Sequence, residues 1–142
     1  MKIGLASDHA GVLMKKAICQ WLESRMIGYI DYGAYSTESA NYAIFGHKLA
    51  NAVESGDVDK GIAVCGSGNG INMTLNKHQG IRAALCWNEE ITRLARAHND
   101  ANILSIAGRF ISLVEAEKLV EIFLNTPFDG GRHKARIDAI PL

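Results

Sequence analysis

Gly61-Ile62-Ala63-Val64-Cys65-Gly66-Ser67-Gly68-Asn69-Gly70 joins a short apolar run to three alternating glycines, with a cysteine at the junction. Residues 61–64 have the length, apolarity and turn-forming neighbours of a buried strand, which ends at Val64 or Cys65. The glycines lack the Cβ that holds a backbone away from a ligand, so the chain can turn sharply there. Ile71 to Leu75 can begin a helix. Strand, glycine turn and helix start together aim backbone N–H groups at one spot, which suits an anion. A thiol beside such a spot feels the same positive potential, which favours a thiolate. The segment predicts reactive sulfur next to a place that stabilises negative charge.

Outward from this segment, strand and helix patterns alternate. Lys2–Ser7 reads as a first strand. Gly11–Arg25 reads as an amphipathic helix, with Leu13, Met14, Ala17, Ile18, Trp21 and Leu22 on one face. Ile27–Asp31 is a second strand, followed by a polar loop to Asn41 and a helix over Ile44–Glu54. Ile81–Cys86 is a fourth strand. Asn88 can cap a helix to Ala97, with Glu89 and Glu90 in its first turn and Arg93 and Arg96 near its end, an order that suits the helix dipole. Asn102–Ala107 is a fifth strand, and Ser112-Leu113-Val114-Glu115 is a capping box opening a helix to about Leu124. The alternation predicts a three-layer αβα sandwich around a five-stranded parallel sheet, Rossmann- or flavodoxin-like. In such sheets ligands bind beyond the carboxyl ends of the strands, near the switch in strand order. Ser7-Asp8-His9, Cys65 to Gly70 and Arg109 follow strands one, three and five and fall at that edge. His98 and the arginines near the C-terminus are expected there as partners.

The chain of 142 residues predicts one domain over 1–142, with residues 128–142 as a C-terminal arm. Fifteen acidic and fifteen basic residues cancel, so the chain as a whole offers no field for nucleic acid or a membrane surface. No apolar run approaches the roughly 20 residues of a membrane span. The N-terminus enters a strand pattern at once and is too short for a signal peptide. Cys19, Cys65 and Cys86 are an odd set without framework spacing, which fits reduced thiols in a cytoplasm.

Each candidate has a plainer reading beside it. Cys65 is a base, a nucleophile or a small buried hydrophobe. Cys19 lies on the apolar side of the first helix and Cys86 ends a strand with no glycine turn after it, so both read as structural. Asp8-His9 offers an acid/base pair, or Asp8 simply caps the first helix. His98 stands at a helix end, where an imidazole is favourable without any function. His47 and His78 read as ordinary residues. If residues 132–138 form a helix, Arg132 and Arg136 are i, i+4 neighbours whose forked donors match a phosphate; otherwise they belong to a solvated basic tail. Histidines and cysteines lack metal-ligand spacing, so no metal site is expected. The glycine spacing is not that of a dinucleotide turn. Residues 66–72 hold no arginine, which argues against a cysteine phosphatase.

Several blocks in one order carry a resemblance: Ser7-Asp8-His9-Ala10-Gly11, Asp31-Tyr32-Gly33, Tyr35-Ser36-Thr37-Glu38-Ser39, Cys65-Gly66-Ser67-Gly68-Asn69-Gly70, Asn76-Lys77 with Gly80-Ile81-Arg82, His98-Asn99-Asp100-Ala101-Asn102, Gly108-Arg109 and Gly130-Gly131-Arg132-His133. Over nearly its whole length the chain resembles the ribose-5-phosphate isomerase B family, within the group that includes galactose-6-phosphate isomerase subunits. The resemblance implies interconversion of ribose 5-phosphate and ribulose 5-phosphate through an enediolate, with neither metal nor organic cofactor. Cys65 would be the base, His98 would open the furanose ring with Asp8 assisting, and Ser67 matches a hydroxyl near the base. Backbone N–H groups of Gly66, Ser67, Gly68, Asn69 and Gly70 would hold the enediolate oxygen. His9, Arg109, Arg132 and Arg136 match phosphate-binding positions, Asn99 a sugar contact, and Tyr42 a sugar contact in a loop that departs from the family pattern. A homodimer or homotetramer with shared sites is implied, in which His98 and Arg109 would meet another chain's Cys65. The rivals are an isomerase of a six-carbon sugar phosphate, such as allose or galactose 6-phosphate, and a non-catalytic phosphosugar-binding module.

Overall fold

The computed structural model describes residues Met1–Leu142. Five parallel strands form one sheet: β1 (Lys2–Ser7), β2 (Gly28–Asp31), β3 (Lys60–Cys65), β4 (Ala83–Leu85) and β5 (Ile103–Ala107), in the spatial order β2-β1-β3-β5-β4. The chain runs from β1 outward to β2, then returns to place β3 on the other flank of β1. The order therefore switches between β1 and β3, where connections leave in opposite directions and open a crevice. In register, Ser7 lies opposite Val64, and Cys65 opposite Ala107.

Six helices cover the sheet or its edge: α1 (Val12–Ser24), α2 (Tyr42–Ser55), α3 (Asn69–Leu75), α4 (Glu89–Ala97), α5 (Leu113–Asn125) and α6 (Arg132–Asp138). Ile18 and Leu22 of α1, Ala95 of α4, and Leu119 and Phe123 of α5 pack on Ile3, Leu5, Val64, Leu104 and Ile106. On the opposite face, Leu49 and Ala50 of α2 and Ile71 and Leu75 of α3 pack on Ala6, Ala63, Cys65 and Ile103. With both faces covered, the central strands are buried almost end to end and read as continuous apolar runs rather than alternating ones. Truncating a core ring such as Phe123 to Ala in packing of this kind costs about 3–5 kcal/mol. The three layers and the five-stranded parallel sheet match the sequence reading. No helix is long and apolar enough to cross a membrane.

Boundaries shift where side chains intervene. Asn41 Oδ1 accepts the Ala43 N–H at 2.9 Å, so α2 starts at Tyr42, ahead of the expected Ile44. The strand expected over Ile81–Cys86 shrinks to Ala83–Leu85. Its approach is tied instead by Asn102 Oδ1, which accepts the Arg82 N–H at 2.8 Å, and Asn76 Oδ1, which accepts the Ala83 N–H at 2.8 Å. Asn88 and Ser112 cap α4 and α5 as their sequence positions imply, accepting from Ile91 N at 2.9 Å and Glu115 N at 3.1 Å.

Candidate functional site

Cys65 closes β3 at the switch point, 4% exposed, with its side chain among the residues under α2 and α3. After it the chain is held on one side only. Gly108 N–H donates to Cys65 O at 2.9 Å and Arg109 N–H to Gly66 O at 3.0 Å. Gly68 then takes φ +78°, and a Cβ there would lie 2.5 Å from Leu85 Cδ1, so conformation and space both demand glycine. The turn passes directly into α3, two residues earlier than Ile71. Ser67 Oγ accepts the Asn69 N–H at 3.2 Å. The N–H groups of Gly66, Ser67, Gly68, Gly70 and Ile71 have no protein acceptor. Five free amides thus follow one thiol at the turn where the glycine spacing predicts an anion site.

Other predicted residues gather on this edge. A Cβ on Gly70 would come 2.5 Å from Cζ of Tyr42, so that ring lies against the turn. A Cβ on Gly66 would lie 3.2 Å from Arg109 Nη1, so Arg109 packs on its own chain's turn rather than facing away toward another chain. Asp8 is buried; its N–H donates to Val64 O at 3.3 Å and its Oδ1 accepts from Gly11 N at 3.1 Å, so it does cap the 3₁₀ turn His9–Gly11 that leads into α1. His9 Nδ1 lies 3.1 Å from the Ala40 N–H and 3.3 Å from the Ala40 carbonyl oxygen, so Ala40 fixes the orientation of the ring.

His98, Asn99, Arg132 and Arg136 are elsewhere, against expectation. Helix α4 starts beyond the carboxyl end of β4 and runs back along the sheet, so His98 at its end lies by the amino ends of the strands. A six-residue strand such as β3 separates the two edges by roughly 20 Å. On that far edge His98, Asn99, Arg132 and Arg136 line a cavity of about 400 Å³ together with His133, Ile137 and Ile140. The predicted helix over 132–138 is present and carries both arginines. The His98 ring stacks on His133 with centroids 4.3 Å apart and planes 15° apart, and His98 Nε2 is 4.0 Å from Asp129 Oδ2. Partial desolvation, then the charges of His98 and Arg132, lower the pKa of His133.

Three features escaped the sequence reading. Lys15, fully buried, bonds Asp31 Oδ1 at 2.7 Å and the Ala34 carbonyl; Gly33 O in turn accepts the Ser7 N–H at 2.7 Å, so Lys15 braces the strand end that carries Asp8 and His9. Its signal was a lysine beside the apolar stripe of α1. His47 and His78, set aside above, form a chain to Glu54: His47 Nδ1 to His78 Nε2 at 2.7 Å and His78 Nδ1 to Glu54 Oε1 at 2.9 Å. No metal-ligand spacing is legible in the sequence, yet donor atoms of His98, Asp129 and His133 all lie within 4.8 Å of one another. The only local hint was the Gly130-Gly131 bend between two of them.

Fold and site together define a class: an open parallel α/β protein that presents a thiol and a run of free backbone amides at its switch point. The pattern of the ribose/galactose isomerase family matches residues 3–140. Ribose-5-phosphate isomerase B of Escherichia coli is 39% identical over 139 residues, covering 98% of this chain and 93% of the relative. The structure of Clostridium thermocellum ribose-5-phosphate isomerase B superposes with a TM-score of 0.98 at 46% identity, covering 99% of this chain and 95% of that one. Ribose-5-phosphate isomerase B from Mycoplasma genitalium, solved with bound ribulose-5-phosphate, gives 0.93 at 40% identity over 98% and 93%. The chain belongs to the ribose/galactose isomerase family, among the ribose-5-phosphate isomerase B proteins.

Proposed function

We propose that this chain interconverts ribose 5-phosphate and ribulose 5-phosphate, with Cys65 as the base that moves a proton between C2 and C1. One observation carries the reading: five backbone amides without a protein acceptor directly follow the only cysteine at the switch point. As the Cys65 thiolate takes the C2 proton, negative charge grows on the substrate oxygen. Amides already aimed at that oxygen stabilise it without reorganising. The thiol returns the proton to C1 while a proton passes from O2 to O1, so the sum is a pure isomerisation. His98 opens the furanose by protonating the ring oxygen, with Asp8 assisting. Ser67 stands beside the base, and Tyr42 and Asn99 contact the sugar. His9, Arg109, Arg132 and Arg136 hold the phosphate, the guanidiniums through their forked donors.

These groups occupy two edges too far apart for one pentose phosphate. A second copy, related by a two-fold axis, brings its His98, Asn99, Arg132 and Arg136 over the first copy's Cys65, and the reverse. A homodimer is the least assembly with complete sites, and a homotetramer would keep them. Trp87 and Phe110, 59% and 76% exposed, flank the Cys65 edge and offer apolar surface for that pairing. In this reading residues 1–142 work as one domain whose arm, 128–142, serves the neighbour's site. Three free thiols fit a cytoplasmic enzyme.

Cys65→Ala tests the chemistry. Loss of a general base lowers kcat by about 10²–10⁴-fold, with the circular dichroism spectrum and melting temperature kept. Near-normal turnover by the folded variant overturns the mechanism.

A further inference from the structure

We propose that His98, Asp129 and His133 bind a divalent transition-metal ion of the zinc class, and that the occupied site holds the isomerase off. The three residues come from the end of α4, the segment before α6 and the first turn of α6. Backbone geometry brings them together. Asp129 N–H donates to Ala97 O at 2.9 Å, which pins the carboxylate beside the helix end that carries His98. Gly130 and Gly131 then take φ +70° and +59°, bending the chain so that His133 returns onto His98.

The donor chemistry is selective. Two imidazoles and one carboxylate form an open zinc-type set, leaving a fourth position for water or a ligand. Imidazole nitrogen suits zinc, cobalt, nickel and copper, whereas magnesium keeps to an octahedron of oxygens. Zinc holds nitrogen at about 2.0–2.1 Å, which sets tetrahedral ligands roughly 3.3 Å apart. The donors here all lie within 4.8 Å of one another, so binding one ion requires them to draw together and the stacked His98 and His133 rings to turn toward it. Half-buried His98 and His133 and exposed Asp129 are reachable from the cavity that both histidines line. Arg132 and Arg136 in the same cavity oppose a dication, so binding is moderate and reversible rather than structural.

The inhibitory half rests on the ring-opening role proposed for His98. An imidazole nitrogen bound to metal cannot deliver a proton to the ring oxygen. The test is calorimetric titration of the full-length protein with zinc chloride, repeated with Asp129→Asn, His133→Ala and His47→Ala, alongside an isomerase assay with ribose 5-phosphate. One zinc per chain is expected, with affinity falling roughly tenfold or more in Asp129→Asn and His133→Ala, a scale on which even groups supporting a metal site matter. It should be unchanged in His47→Ala, and magnesium should give no binding heat. Zinc should inhibit turnover, chelator should restore it, and Asp129→Asn should need more zinc for the same inhibition. Absence of zinc binding, equal affinity in all variants, or loss confined to His47→Ala overturns the site. Binding in the expected pattern without inhibition overturns the inhibitory half alone. A protein that binds zinc as expected but turns over no sugar phosphate keeps the site and overturns the proposed function.

Discussion

Each of the three cysteines ends an element or lines its inner face, but only Cys65 stands directly before a glycine turn. Cys86 follows β4 and Cys19 faces inward from α1. Burial pushes the Cys86 thiol up to about 11, and burial followed by the Asp31 charge pushes Cys19 up to about 11. At pH 8 a thiol of that pKa is thiolate in only about one molecule in a thousand. Brief iodoacetamide treatment of the folded protein at pH 8 should therefore leave Cys19 and Cys86 unmodified, with both alkylated after denaturation. Mass spectrometry of tryptic peptides checks this, and early label on either cysteine contradicts their buried settings. Cysteine chemistry at this scale was legible: the residue before the glycine turn could be picked out because strand end and turn are local patterns. Lys15 was not, since a buried ammonium looks like any helix lysine until Asp31 and the Ala34 carbonyl are brought beside it.

Between elements, a small polar tie joins α2 to the turn before β4. Glu54 accepts from Gly80 N at 2.8 Å and from His78 Nδ1 at 2.9 Å, and these bonds, Gly80's first, hold its pKa below the usual carboxylate range. A carboxyl whose pKa is depressed by folding adds stability above its unfolded value, near 4.5, and that contribution is lost as pH falls through the folded value. Glu54→Gln should thus lower stability near neutral pH, by about 1 kcal/mol or less for so accessible a pair. The gap from the parent should close below about pH 4. Urea midpoints at pH 7 and pH 3.5 check it; a gap that widens on acidification contradicts the assignment. Helix caps and the two-residue offset of α2 belong to this scale as well. Asn88 and Ser112 were readable because a cap needs only its own next turn, whereas Asn41 in a polar loop could not be told from its hydroxyl-bearing neighbours.

For the whole molecule, the separation of two half-sites by the length of the sheet makes a specific demand on assembly. If each site takes Cys65 from one copy and His98 from the other, Cys65→Ala and His98→Ala proteins are each inactive. Unfolded together and refolded, they should regain about a quarter of parent activity, because half the random dimers are mixed and each mixed dimer has one intact site of two. No recovery on mixing, with folded dimers present, contradicts a shared site. The α/β alternation, the parallel sheet and the gathering of Asp8, Cys65 and Arg109 at the carboxyl edge could all be inferred from residue order. Strand periodicity, turn formers and caps are local, and a parallel sheet sends every strand end the same way. The placing of His98, Arg132 and Arg136 was beyond such patterns. It depends on α4 running back across the sheet and on two positive-φ glycines folding the C-terminal arm onto its end. Convergence of side chains distant in sequence is a property of the packed chain, because the contacts that create it exist only after helices and sheet have docked.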